Sequence, residues 1–209
     1  MVSQSNLKQI VLGLLNYHDT HGRFPPAVVQ AKDGRPLYSW RVLMLPYLEE
    51  DSLYQEFHRD EPWDSPHNLP LLTRMPRIFA APRDEGLKLE PGNTFYQVFV
   101  GPGTAFENPR GAKLSEDFPE GTANTLMIIE AGEAVPWTSP ADLAYRPDQA
   151  LPPVGGIFTT KGRFSLFGSN RVKGFNAAFA DGSLRWLPAE LPEAELRAMI
   201  EATGGLHRQ

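Results

Sequence analysis

"NLKQIVLGLLNYHDTHGRFPP", residues 6–26, is the stretch on which the fold turns. Leu7, Ile10, Val11, Leu14 and Leu15 fall at i, i+3, i+4, i+7 and i+8, the spacing of a helix with one buried face. Ser3 or Ser5 stands where a cap is needed, and Gly22 followed by Pro25-Pro26 stops the helix. The apolar stripe is about 100° wide, enough to cover one partner surface.

Outward from that helix, a second helical stretch begins at Ser39, a good N-cap. It runs through Trp40, Leu43, Met44 and Leu45, ends or kinks at Pro46, and resumes from Leu48 through Leu53 and Tyr54 to Phe57. "DEPWDSPHNLP" (residues 60–70) carries three prolines and reads as loop, with a short helix over 69–75 after it. Beyond Pro76 the pattern changes. "RIFA" (77–80), "TFYQVFV" (94–100) and "TLMIIE" (125–130) read as short strands, and residues 101–121 and 131–162 as loops. "GFNAAFADGSLRWL" (174–187) reads as a hairpin: Phe175, Ala177 and Phe179 alternate on one arm, Leu184 and Trp186 on the other. Its tip, Asp181-Gly182, suits a two-residue turn with positive φ at both positions. A last helix opens at Pro192, buries Leu196, Met199 and Ile200, and stops at Gly204-Gly205.

Helices first and strands afterwards predict one α+β domain: a helix over 1–22, a helical segment over 39–75, a sheet with long loops over 76–187, and a helix over 192–203. The sheet should be antiparallel, with about four to six strands. Eighteen Gly and twenty Pro among 209 residues agree with long irregular connections rather than a helix bundle. A net charge of −5 without any basic run argues against nucleic acid as a partner. The chain has no Cys, which excludes disulfides, thiolate catalysis and Cys-ligated metals. The longest apolar run, residues 10–15, is too short to cross a bilayer.

Two clusters invite chemistry. In "DEPWDSPHN", Asp60, Glu61, Asp64 and His67 bring three carboxylates and an imidazole within eight residues. Hard oxygen donors suit Ca²⁺, and Asp with His suits a transition metal or a general base. The loop lacks the EF-hand pattern. The favoured reading is that Asp64 and Ser65 bond nearby backbone amides while Trp63 anchors the loop. In "YHDTHG", His18, Asp19 and His21 lie at a helix end, where a cation meets the negative end of the dipole. Helix termination is the favoured role there.

Several blocks together resemble one family: residues 6–27, 39–57, 61–68, 101–106, 121–138 and 174–187, in the expected order. It is a large family abundant in planctomycete bacteria, a domain of unknown function described as prepilin-like or type II secretion pseudopilin-like. The resemblance implies a pilin-like domain whose first helix is the C-terminal half of a longer one. The apolar, membrane-inserting half would lie upstream or be missing in this member. It further implies a non-enzymatic subunit of an envelope assembly on the periplasmic or extracellular side, itself soluble. Its partners would be other subunits or its own copies, and the membrane would be reached only through an upstream helix. Leu7, Ile10, Val11, Leu14, Leu15 and Trp63 are then the expected interaction residues. No cofactor is expected, Ca²⁺ being the one ion that pseudopilin loops bring into consideration. Members often carry a Cys near residues 80–81 and a His opening the C-terminal motif; this chain has neither.

Two alternatives belong to other classes. One is an extracellular glycan or small-ligand module using exposed rings such as Trp63 or Trp137. The other is a metal-dependent hydrolase using Asp64 and His67 with His18 or His21.

Overall fold

The computed structural model describes residues 2–80, 90–155, 159–160 and 172–202. Helix α1 (Val2–His21) follows the predicted stripe and ends on Gly22, whose φ of +71° is the left-handed cap and whose N–H closes on His18 O at 2.7 Å. Strands β1 (Val28–Gln30) and β2 (Pro36–Ser39) form an antiparallel hairpin in a stretch for which the sequence predicts no strand. Ser39 caps α2 (Trp40–Leu43), its Oγ accepting the Arg41 N–H. A 3₁₀ turn over Leu45–Leu48, with Pro46 in its first turn, and α3 (Asp51–Glu56) complete the interrupted helix. The predicted helix at 69–75 is a 3₁₀ turn, Leu69–Arg74.

"RIFA" is not a strand. Arg77–Phe79 is another 3₁₀ turn after Pro76, and Phe79 is driven inward between the rings of Trp40 and Trp137. Residues 94–100 are not one strand either. They divide into β3 (Asn93–Gln97) and β4 (Phe99–Val100), because the Val98 N–H turns to Asp142 Oδ1 at 3.0 Å instead of to a ladder. Strand β5 (Leu126–Pro136) runs six residues past the predicted end of its run at Glu130, into the stretch read as loop. Short β6 (Leu143–Ala144) pairs in parallel with β4. Strand β7 (Thr159–Thr160) joins β8 (Val172–Phe179), which forms the expected hairpin with β9 (Leu184–Pro188). Helix α4 (Glu193–Ile200) follows, with Pro192 as N-cap rather than first helical residue; the proposed stop at Gly204-Gly205 lies outside the described residues.

The hairpin tip differs in detail from the expected turn. Gly182 N–H bonds Phe179 O, Phe179 N–H bonds Ser183 O, and only Gly182 has positive φ, at +81°. This is a three-residue loop closed by a left-handed glycine.

The central antiparallel sheet runs β3-β5-β8, with β9 and β7 each paired to β8. Both its faces are buried. Phe175, Ala177, Phe179 and Leu187 point to one core, which Leu196 and Ile200 of α4 cover. Ala178 and Ala180 point to the other, where α1 lies, and their small side chains let the helix come close. A register irregularity between Leu126 and Ile128 turns Met127 and Ile128 both toward α1, which is how a β-bulge resets alternation. Leu7, Ile10, Val11 and Leu14 are at most 1% exposed. The stripe also meets a second surface: a Cβ on Gly13 would stand 3.1 Å from both Met44 and Leu48. So α1 is clasped between sheet and 3₁₀ turn, two partners where its width suggested one.

Candidate functional site

Two networks of buried polar side chains cross this fold, and a third set lies on an exposed loop. Tyr96, Glu130 and Asn176 stand side by side on β3, β5 and β8, one row across the sheet on the face toward α1. Glu130 is fully buried. Its Oε2 accepts the Asn176 N–H at 2.7 Å, the Asn176 amide group reaches both carboxyl oxygens at 3.1 and 3.2 Å, and Ser3 Oγ–H donates to Oε1. Ser3 Oγ also lies 2.8 Å from Tyr96 Oη, and Gln4 Nε2–H donates to Asn176 Oδ1 at 3.0 Å. The first turn of α1, the electropositive end of the helix, is thereby fastened to the sheet through a carboxyl. Burial pushes Glu130 above its ordinary 4.5, against the opposing hydrogen bonds from Ser3 and Asn176, and pushes the Tyr96 phenol up to about 12. The row can hold or release a proton without breaking, since Ser3 and Tyr96 are hydroxyls that can reverse their donation.

The second network is an ion pair. Arg41 Nη2–H and Nη1–H donate to Asp142 Oδ1 and Oδ2 at 2.6 and 3.3 Å, with both side chains at most 1% exposed. Arg41 also donates twice to the Tyr96 carbonyl, at 3.0 and 2.8 Å, and once to Ser39 Oγ at 2.7 Å. Asp142 Oδ1 further accepts the Val98 N–H and, at 3.4 Å, the Trp40 indole N–H. Burial pulls the guanidinium down and the carboxyl up, and the attraction of each for the other opposes both. Arginine keeps its charge in proteins, so the pair is ionic. It ties α2 to β3 and to the loop before β6.

The third set occupies residues 58–68. Asp60 and Asp64 are exposed, Glu61 is half-buried, and Asp64 makes no hydrogen bond among the described residues. The cap is Ser65 alone, whose Oγ accepts the Asn68 N–H at 3.1 Å. Glu61 Oε1 lies 2.9 Å from His58 Nδ1, and the rings of His58 and His67 stack 3.4 Å apart and 2° from parallel. Asn68, fully buried, fixes the loop: its Oδ1 accepts the His58 N–H and its amide group donates to the His58 and Pro62 carbonyls.

The other candidate residues do not join this set. His21 bonds Tyr47 Oη at 3.0 Å, while His18 Nε2 accepts the Leu114 N–H at 3.2 Å. No three His, Asp or Glu side chains converge on one point among the described residues, so Asp60, Glu61, Asp64 and His67 do not form a four-ligand centre. Trp137 and Trp40 are wholly buried, Trp137 donating its N–H to Leu72 O, whereas Trp63 and Trp186 are half-covered. The stripe expected as an interaction face is also corrected: Leu7, Ile10, Val11 and Leu14 are spent inside the chain, with Leu15 and Trp63 packed beside them. The outer side of α1 is instead Ser5, Gln9, Leu12 and Asn16.

A family profile described as "Protein of unknown function (DUF1559)" matches residues 1–113. The chain belongs to the DUF1559 family. No curated protein and no solved structure matches it. The DUF1559 region supplies α1, the β1–β2 hairpin, Arg41, the 58–68 loop and Tyr96. Glu130, Asp142 and Asn176 come from beyond it, so both buried networks join the matched half of this DUF1559 chain to the rest.

Proposed function

We propose that the protein is a non-enzymatic structural or assembly subunit of a bacterial envelope machine, similar to a pseudopilin of the prepilin-like type and acting through contacts with other subunits or its own copies. The observation that supports this reading is the lie of α1. A twenty-residue N-terminal helix runs along an antiparallel sheet, its apolar stripe buried and its first turn bonded to Glu130 and Asn176. That is the architecture a pilin-like subunit needs to present one rigid helix-and-sheet body to its neighbours. Among the described residues no helix is long and apolar enough to cross a membrane, so the reading assigns this part of the molecule to contacts outside the bilayer. Fractionation of the producing cells tests it. The reading expects the protein in the envelope fraction and in particles heavier than a monomer; recovery solely as a free cytosolic monomer contradicts it.

A further inference from the structure

We propose that Ser3 and Asn176 form a self-generated ester cross-link, the Ser3 hydroxyl displacing ammonia from the Asn176 side-chain amide with Glu130 as proton carrier. The inference stands apart from the assembly reading and does not depend on it. Nucleophile and amide meet on one carboxyl. Ser3 Oγ–H donates to Glu130 Oε1, and Asn176 Nδ2–H reaches that same oxygen at 3.1 Å and Oε2 at 3.2 Å. The hydroxyl and the amide are thus neighbours across a single oxygen. Closure asks the Ser3 side chain, which has one rotor, to swing Oγ from the carboxyl to the adjoining amide carbon.

Each step has a residue to perform it. Glu130 accepts the Ser3 proton as Oγ adds to Asn176 Cγ. Burial raises this carboxyl, against the hydrogen bonds from Ser3 and Asn176, and so makes it a stronger base than an exposed one. The electron pair of the C=O bond moves to Oδ1, where Gln4 Nε2–H, already 3.0 Å away, meets the developing charge. In the tetrahedral adduct the nitrogen is no longer conjugated, and its lone pair takes the proton back from Glu130. The C=O bond re-forms, the C–N bond breaks, and ammonia leaves. One O–H and one C–N bond are exchanged for one C–O and one N–H, with no change of oxidation state.

The surroundings favour a reaction that free hydroxyl and amide do not undergo in water. Ser3 and Asn176 are each 6% exposed and Glu130 is fully buried, so little water competes with the hydroxyl or attacks the product. Tyr96 Oη, 2.8 Å from Ser3 Oγ, holds the hydroxyl in the row, and the Asn176 backbone N–H, 2.7 Å from Oε2, fixes Glu130 beside the amide. Such placement supplies in advance the encounter that free groups lack. The product fastens the first turn of α1 covalently to β8, in a chain that has no Cys for a disulfide.

Intact mass spectrometry of the whole chain, purified folded and then denatured, tests the link. The expected species is lighter than the sequence by one ammonia, and its digest joins the peptide holding Ser3 to the peptide holding Asn176. Hydroxylamine, which cleaves esters, should separate the two. Ser3→Ala and Glu130→Gln should each keep the full mass of their sequence, with circular dichroism showing that the fold is kept. Ser3→Thr, which restores a hydroxyl, should again lose one ammonia. A wild-type chain of unchanged mass after prolonged incubation, or an equal yield of the link in Glu130→Gln, would overturn the proposal. So would the same loss persisting in Ser3→Ala, which marks a succinimide at Asn176 instead of an ester.

Discussion

Glu130 is a carboxyl at a point where a charge is costly, and its neighbours give that cost a pH dependence. A carboxyl whose pKa is higher in the folded chain than in the unfolded one binds its proton more tightly when folded. Its contribution to stability is therefore fullest below the ordinary value of 4.5 and is lost as pH rises through the raised folded value. Glu130→Gln should flatten that fall: relative to the wild type, the variant gains stability as pH rises from 4.5 through the raised folded value. Urea unfolding across that range reads the difference in slope, whatever constant offset the altered hydrogen bonds introduce. Parallel curves would mean that Glu130 does not titrate there. The Arg41–Asp142 pair makes a different prediction. Asp142→Ala leaves a guanidinium buried without its counter-ion, which should cost about 3–5 kcal/mol in denaturant unfolding. Arg41→Met together with Asp142→Leu should recover part of that loss, because no charge is then stranded.

Neither network is legible residue by residue. Glu130 ends an apolar run, and Asn176 sits between Phe175 and Ala177; both are polar residues at positions that the strand pattern buries, and that conflict is the one available signal. Arg41 and Asp142 are 101 residues apart, and nothing local links them. The His58–His67 pair is half visible: His67 stands out for its carboxylate neighbours, while nothing marks His58, which lies outside the proline-rich loop.

Among the elements, α1 is the most legible, because its apolar period is long and its stop signals are strong. Its phase is testable. Ile10→Ala, wholly buried, should cost about 2–5 kcal/mol, whereas Leu12→Ala, 43% exposed, should stay within about 0.5 kcal/mol, both by thermal or chemical unfolding. Equal costs would mean that α1 turns a different face to the sheet. The two hairpins teach a narrower lesson. Ala31–Arg35 and Phe179–Ser183 close identically: the first residue's N–H to the last one's carbonyl, a left-handed glycine (Gly34 or Gly182), and an Asp carboxylate accepting the N–H two residues on. "FADGS" is recognisable because its arms alternate cleanly; "AKDGR" is not, because its arms are short and one holds a proline. The 3₁₀ turn at Arg77–Phe79 has the composition of a strand, but the demand for Phe79 between two indole rings decides its backbone.

For the molecule as a whole, the α+β class follows from the order of helical and strand patterns, but the two-sided burial of the sheet does not. It depends on α4 and on loops whose packing no periodicity records. That burial also relocates the surface on which the assembly reading must act. The apolar stripe is internal, so contact with other proteins falls to what remains outside, where Val2, Leu12 and Leu69 are the exposed large apolar side chains among the described residues. Because the chain has no Cys, a single introduced Cys supplies its only thiol. The most direct measurement is thiol cross-linking in the producing cell from Leu12→Cys and Leu69→Cys, read by mass. A discrete product joining the protein to another subunit or to a second copy, from at least one of the two positions, is the predicted result; only uncross-linked monomer from both would contradict the claim that the protein works by contact.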